Sequence, residues 1–472
     1  MLRWCFRATC LDASRILLLS LIGGLVLCPA APAQQVDLEK ARQYADRLES
    51  SFWEQAWVRH LEERAGRNGT LSWVYADRQR LNELVADYQR ALGQADGFWT
   101  NLQVQDYLQR RLLAVQPNPM MPGRPGAFRL RVLSTTTPNA LALNDGTIIL
   151  STGLLTALKT EAQLHAVLAH EIAHVVLDHA LTTYRANKQS SRARNLLGSI
   201  LGGVTSVVAP GLGRRPLEST IYDLSSGLAT QYLNREFIAA AGLEYTQKQE
   251  RAANRLAQEW LLAHDQPPAA LHTALRTLHR VGLRTRSTHG ASFPQSHPST
   301  DTERREYLAT VIEENGGDPS VLDTAPPDPD STYDTRLAAV LEHEGELDLA
   351  ARRFHAARSV LNRALRTPWT TPQTYLFAAI AARNTTITPE GTAEALALLD
   401  RAEAEAGQPE PRIEAERALL RIRQNQPEQA RRHLARCLTQ IDEVRARADT
   451  VAAHDSLQAW ATRMQVRLKD QE

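Results

Sequence analysis

Apolar residues recur at helical spacing in the polar stretch from Val36 to Gln116. This pattern predicts amphipathic helices that lie on the surface of the protein. After the turn-forming residues 117–123, two short β-prone runs at 128–133 and 147–151 predict a pair of strands. The loop between the two runs contains the turn signals Pro138-Asn139 and Asp145-Gly146.

The next segment, Glu161 to His179, predicts a buried helix. Its apolar residues cover most of a helix surface, namely Leu164, Val167, Leu168, Ile172, Val175 and Val176. Polar side chains among them would be costly to bury without partners. The histidines and the glutamate of this helix therefore need a chemical explanation.

A second apolar segment, residues 195–213, carries no charge over 19 residues and contains five Gly and one Pro. Its length would permit a membrane span, but its glycine content makes it a weakly hydrophobic helix. We expect it to be buried against the neighbouring domain or to form an apolar flap. Membrane association through 195–213 is the alternative.

The C-terminal third of the chain predicts helix after helix. A Pro- and Asp-rich linker at 317–335 precedes it, and residues 336–472 are rich in Ala, Arg, Glu and Leu. Second helices of three pairs are expected to open at Gly345-Glu346, Pro389-Glu390 and Pro427-Glu428. The corresponding alanines, Ala350, Ala395 and Ala430, are 45 and 35 residues apart. A tetratricopeptide unit repeats every 34 residues or so, so this reading needs one insertion, and an ordinary helical bundle is the alternative.

The start of the chain predicts export from the cytoplasm. Arginines precede an apolar run from Ile16 to Leu27, and Ala31-Pro32-Ala33 follows it, which is typical of a signal peptide spanning 1–33. An uncleaved anchor and a lipid-modified Cys28 are weaker alternatives. Cys437 is the one cysteine left after cleavage, so no intramolecular disulfide can form. The net charge of +1 argues against a nucleic-acid binder.

The candidate chemistry is His170-Glu171-Ile172-Ala173-His174 in the buried helix. Residues four apart share a helix face, so His170 and His174 can bind one zinc ion. Glu171 lies beside the open coordination position, where it can take a proton from a water that the ion has acidified. This spacing of residues predicts a zinc peptidase site.

A catalytic zinc needs a third protein ligand, and Glu250 is the predicted one. It stands in Glu250-Arg251-Ala252-Ala253-Asn254, on the small and apolar face of a second helix. His179 is a poorer candidate, because a third histidine normally lies further along, after a glycine turn. We therefore expect one Zn²⁺ per chain, held by His170, His174 and Glu250.

Several further motifs follow one another in the order seen in one family of peptidases. They are Pro138-Asn139-Ala140-Leu141-Ala142-Leu143, Gly146-Thr147-Ile148, Thr152-Gly153-Leu154-Leu155, the His170–His174 motif and His297-Pro298. The stretch from Val104 to Leu308 resembles the gluzincin zinc peptidases of the HtpX, BepA and CAAX prenyl protease type. The signal peptide and the helical tail are most similar to the periplasmic BepA-like members, which carry tetratricopeptide repeats. The resemblance implies an α+β, mainly helical fold: a metalloprotease domain at 104–316 with a small β-sheet, an N-terminal helical segment at 34–103, and an all-α repeat domain.

The resemblance also implies roles for further residues. Asn139 and Ala140 would lie at the edge of the active-site cleft and bind an extended substrate as an added strand. His297 would stabilise the oxyanion or occupy the fourth zinc position and keep the enzyme latent, unless it is an ordinary surface histidine. Asn254 stands where the family usually has Asp, a position beside the ligands that tunes a ligand histidine. Arg304 follows His297 at a spacing one residue longer than the family resemblance implies.

These observations favour a zinc metalloendopeptidase that acts on misfolded or stalled cell-envelope proteins in the periplasm, peripheral to the outer membrane. Its partners would be polypeptide substrates and an outer-membrane assembly complex that docks on the helical tail, with no nucleic acid. The alternative is a chaperone or scaffold of envelope assembly whose zinc site is latent or weakly active.

Overall fold

The computed structural model describes residues 36–37, 52–65, 70–71, 75–94, 97–116, 128–188, 245–289, 301–325, 327–447 and 455–469. These residues form mainly helices, with a small mixed sheet and a C-terminal run of paired helices. The predicted signal peptide (1–33), the uncharged segment (195–213) and His297 lie outside the described residues. Among the described helices, none is both long and apolar enough to cross a membrane.

Three amphipathic helices lie in the described residues of the N-terminal part, as the apolar spacing predicted. They are α1 (Phe52–Ala65), α2 (Tyr75–Gln94) and α3 (Leu102–Val115), and a short ladder of β1 (Val36–Asp37) with β2 (Thr70–Leu71) accompanies them. Trp53 and Trp57 of α1 are buried in the largest apolar core. The Trp53 indole N–H donates to the carbonyl of Val115 at 2.5 Å, which ties α1 to the end of α3.

A four-stranded sheet covers one side of the buried helix. Its strands are β3 (Phe98–Trp99), β4 (Arg129–Leu133), β5 (Ala140–Ala142) and β6 (Thr147–Ser151), in the order β3-β4-β6-β5. The predicted pairing of β4 with β6 is confirmed, and it is parallel. Parallel pairing is possible because the chain between β4 and β6 forms β5 first. It then reverses direction at Asp145-Gly146, so that β5 pairs antiparallel with β6.

The other helices that the structure describes in the first part surround the motif-bearing helix. They are α4 (Thr152–Ala157), α5 (Glu161–Val176), α6 (His179–Lys188), α7 (Gln247–Ala263), α8 (Ala270–His289) and α9 (Asp301–Glu314). A 3₁₀ turn (Pro319–Asp323) and α10 (Ser331–Arg336) follow. Helix α5 packs against β5, α7 and α8 and is buried along nearly its whole length, which confirms the predicted buried helix.

The C-terminal part consists of packed helix pairs. The pairs are α11 (Ala338–Ala350) with α12 (Phe354–Ala364), α13 (Pro372–Thr385) with α14 (Pro389–Glu405), and α15 (Pro411–Arg423) with α16 (Pro427–Arg447), before α17 (Asp455–Lys469). The predicted openings of second helices at Pro389 and Pro427 are confirmed.

The predicted opening at Gly345-Glu346 is wrong, because Gly345 lies inside α11. A Cβ atom on Gly345 would come within 2.5 Å of Leu361 Cγ, so the glycine allows α11 and α12 to pack closely. The second helix begins at Phe354 instead, and the alanine equivalent to Ala395 and Ala430 is Ala357. All three are fully buried, at intervals of 38 residues (357 to 395) and 35 residues (395 to 430). The interval of 45 residues expected from the sequence was too long because it was counted from Ala350 instead of Ala357.

Buried polar contacts join the helix pairs to the first part of the chain. The Arg363 guanidinium donates to the Asp334 carboxylate, with Nε to Oδ2 at 3.0 Å, and to the carbonyls of Thr156 and Leu158 at the end of α4. The Tyr333 hydroxyl donates to the carbonyl of Leu155 at 3.0 Å. These contacts fix the first helix pair against the helix that directly precedes α5.

Glu344 lies in the same interface and predicts a pH dependence of stability. Burial raises the pKa of Glu344 to about 8, helped by the negative charge of Asp348, whereas its hydrogen bond to Thr152 acts the other way. The folded chain therefore keeps a proton that the unfolded chain releases at lower pH, so stability falls as pH rises from about 4.5 to about 8. We expect Glu344→Gln to flatten this decline in thermal denaturation, whereas Glu346→Gln on the same helix should keep it. An unchanged slope in Glu344→Gln would contradict the assignment.

Candidate metal centre

Helix α5 places the two histidines and the glutamate of the motif in the protein interior. The hydroxyl of Thr160 caps the helix by accepting a hydrogen bond from the backbone N–H of Gln163 at 3.3 Å. This N–H belongs to the first turn and has no acceptor within the helix itself. His170, Glu171 and His174 are each at most 2% exposed. Because His170 and His174 are one turn apart, both rings face α7.

Helix α7 supplies the third member of the cluster. Its start is fixed by a capping box in which Thr246 and Gln249 satisfy each other's backbone N–H groups. Glu250 therefore falls in the first turn and is 2% exposed. One and two turns further on, Ala253 and Ala257 are fully buried, and their small side chains allow α7 to lie close to α5.

The three side chains meet in one cluster whose ligand atoms all lie within 4.8 Å of one another. His170 Nε2 lies 3.1 Å from His174 Nε2 and 3.6 Å from Glu250 Oε2, and His174 Nε2 lies 3.5 Å from Glu250 Oε1. Tetrahedral ligands at about 2.0–2.2 Å from an ion are about 3.3–3.6 Å apart from one another. The donor set and its spacing thus fit a metal ion, and two imidazoles with one carboxylate are typical of zinc.

Tyr245 is a member of the site that the sequence reasoning missed. Its ring stacks on His174 with the centroids 4.0 Å apart. Burial raises the pKa of Tyr245 well above its usual value, and the charges of Glu171 and Glu250 add to the effect, so the phenol stays neutral. The tyrosine therefore packs the ligand ring without adding a charge beside the cluster. No periodic pattern pointed to it, because it precedes α7 and meets His174 only in the folded chain.

His179 was weighed in the sequence only as a ligand, and its contact with His174 was missed. It does not join the ligand cluster, in agreement with its rejection as third ligand. Its Nδ1 lies instead 3.0 Å from Nδ1 of His174, and the residue is 6% exposed. The preceding residue, Asp178, has a positive φ of 53° that separates α5 from α6. A single residue in this backbone conformation gives no recognisable signal in the sequence.

Asn254 and Arg304 line a narrow cleft beside Glu250. Asn254 is 4% exposed, and its Oδ1 accepts no hydrogen bond from any residue that the structure describes. Its bond to a ligand histidine thus stays a prediction. Arg304 is also 4% exposed. Burial lowers the pKa of its guanidinium, whereas the negative charges of Asp301 and Glu250 raise it. The arginine therefore lies near the site despite its shifted position in the sequence.

Asn254→Asp should increase the affinity for zinc by about tenfold, because a carboxylate in the cleft beside Glu250 adds negative charge next to the cluster and is a better acceptor for a histidine N–H than an amide. Competition with a chromophoric chelator measures this affinity. Thermal denaturation of both proteins controls for a general loss of stability. Equal or weaker zinc binding by the variant would contradict this prediction.

Strand β5, which holds the predicted substrate-binding residue Ala140, forms an edge of the sheet as far as the structure describes it. Asn139 directs its main chain to β6, because its carbonyl accepts from Ser151 N at 3.0 Å and its N–H donates to Ser151 Oγ at 2.8 Å. In an antiparallel ladder the N–H and C=O groups of successive residues point to opposite sides of the strand. Those of Ala140 therefore point away from β6, to the open edge of the sheet. Ala140 is 7% exposed, so an added strand would require some rearrangement.

Comparison with known proteins agrees with this geometry. Residues 102–310, which include the whole cluster, match the sequence profile of peptidase family M48. Over these residues the chain is similar to peptidase family M48. The beta-barrel assembly-enhancing proteases of Escherichia coli (strain K12) and Shigella flexneri are each 25% identical to the chain over 151 residues. The match covers 32% of this chain and 28% of each relative, so the chain aligns with under a third of their length. The family resemblance seen in the sequence is thereby confirmed.

Proposed function

We propose that the protein is a zinc-dependent endopeptidase. The observation that carries the proposal is the buried cluster of His170, His174 and Glu250 with Glu171 next to the first histidine, inside a peptidase M48 domain. A zinc ion in this cluster would act as a Lewis acid on a peptide carbonyl and lower the pKa of an attacking water.

Glu171 and Ala140 have separate roles in this mechanism. Glu171 takes the proton from the attacking water and delivers it to the leaving amine, as a general acid and base does in peptide hydrolysis. Ala140 orients the substrate by main-chain hydrogen bonds from the edge of β5, which holds the scissile bond near the cluster. The low exposure around the cluster excludes bulk water and strengthens the electrostatic interactions there.

The substrates we propose are misfolded or stalled proteins of the cell envelope. The signal-peptide pattern at 1–33 supports export to the periplasm. The distant similarity to beta-barrel assembly-enhancing proteases supports an envelope role. The paired helices from Ala338 onward, with buried alanines at near-regular intervals, support a tetratricopeptide-like docking domain for an outer-membrane assembly complex.

Removal of zinc tests the proposal. The mature chain from Gln34 should contain one zinc and cleave casein, an unfolded protein. A strong chelator should abolish cleavage, and added Zn²⁺ should restore it, because cleavage requires the Lewis acid. Circular dichroism after chelation checks that the helices remain. A zinc-loaded chain that leaves casein intact would instead favour the latent chaperone or scaffold.

A further inference from the structure

The hydrogen bond between His174 and His179 has a direction that chemistry can assign. The two Nδ1 atoms are 3.0 Å apart, and the ring planes meet at 75°. An N–H···N bond needs one donor and one acceptor, so one ring carries its proton on Nδ1 while the other presents a lone pair there.

The opposite nitrogen of His174 decides which ring is the donor. His174 Nε2 faces His170 Nε2 and Glu250 Oε1 in the ligand cluster. To bind a cation, Nε2 must present a lone pair, and a neutral imidazole then carries its proton on Nδ1. His174 is therefore the donor and His179 the acceptor.

The backbone turn at Asp178 brings His179 to this position. In an uninterrupted helix, a residue five positions later lies about 140° further round the axis and would miss His174. The turn at Asp178, with φ of 53°, redirects the chain, and α6 begins at His179. The Asp178 carboxylate accepts from Arg78 Nη2 of α2 at 3.1 Å, and Gln249 of α7 donates to the His179 carbonyl at 3.3 Å. The acceptor is thus held by two further helices.

We propose that His179 is a positioning residue for the metal centre. It accepts the Nδ1–H of His174 and holds that ring in the tautomer and orientation that present Nε2 to the ion. Carboxylates and backbone carbonyls commonly take this position around metal-bound histidines, and here a neutral imidazole takes it. The inference depends on the proposed function only through metal binding, not through cleavage.

A pair of variants of similar size and shape tests this role. His179→Leu removes the acceptor, whereas His179→Asn places an amide oxygen near the position of Nδ1. In competition with a chromophoric chelator, His179→Leu should bind Zn²⁺ about 10- to 100-fold more weakly than the wild type. His179→Asn should recover most of the loss, and its visible spectrum with Co²⁺ should match that of the wild type. Equal losses in both variants would indicate a packing role, and an unchanged affinity of His179→Leu would also overturn the proposal.

A measurement on the wild type covers the case in which a variant does not fold. In the zinc-loaded chain with ¹⁵N-labelled histidine, the Nδ1 proton of His174 should show a coupling across its hydrogen bond to a second imidazole nitrogen. A protonated Nδ1 of His174 without that coupling would overturn the assignment. A wild type that binds zinc but cleaves nothing would refute the peptidase alone, because neither of these tests measures cleavage.

Discussion

Glu171→Gln should reduce casein cleavage by about 10²- to 10⁴-fold while leaving one zinc bound per chain. Glutamine has nearly the same shape as glutamate but cannot take a proton from the attacking water. The metal should remain because the three ligand atoms come from His170, His174 and Glu250. Steady-state cleavage rates and the zinc content of the same preparations measure both halves of this prediction.

Glu161→Gln is the matched control for this variant. Glu161 starts the same helix but lies at the other end from the cluster, where its carboxylate accepts from Tyr107 and Arg111 at 2.9 and 2.6 Å. Its cleavage rate should stay within about twofold of the wild type, since a partly exposed ion pair contributes little. A Glu171→Gln enzyme as fast as this control would rule out Glu171 as the general base.

Arg363→Met should destabilise the chain by about 3–5 kcal/mol, because it leaves the Asp334 carboxylate buried without its counter-ion. The side chains of Arg363 and Asp334 are 5% and 6% exposed. The same guanidinium also donates to carbonyls at the end of α4, so these acceptors lose a donor as well. Urea denaturation followed by circular dichroism measures the loss.

The double variant Arg363→Met with Asp334→Leu separates the buried charge from the rest of the interface. With both charges removed, much of the stability should return, because two apolar side chains can pack where the ion pair was. If the single variant unfolds at the same urea concentration as the wild type, the ion pair does not fix the helix pairs to the peptidase domain.

The fold was predictable where the periodicity of apolar residues reflects burial. Helix α5 is buried almost all round, and its sequence is apolar almost all round. Strand β5 was missed because it is three residues long, too short for an alternating pattern. The first tail pair was misplaced because Gly345 looked like a helix boundary, although it is a close contact between two helices. Composition alone does not distinguish these two uses of glycine.

The cluster of His170, His174 and Glu250 was predictable because helical spacing turns sequence distance into spatial distance. His170 and His174 are four apart, and Glu250 lies on the apolar face of its own helix. The supporting residues were not predictable in this way. Tyr245 stacks on His174, and Arg78 bonds to Asp178, across long stretches of chain. Such contacts arise only when α2, α5 and α7 have packed together.

The most direct test of the metal centre is a zinc anomalous difference map from crystals of the chain from Gln34 onward. We expect one strong peak at about 2.0–2.2 Å from Nε2 of His170, Nε2 of His174 and a carboxylate oxygen of Glu250. A peak bound by other residues, or no peak in a chain that retains zinc, would contradict it.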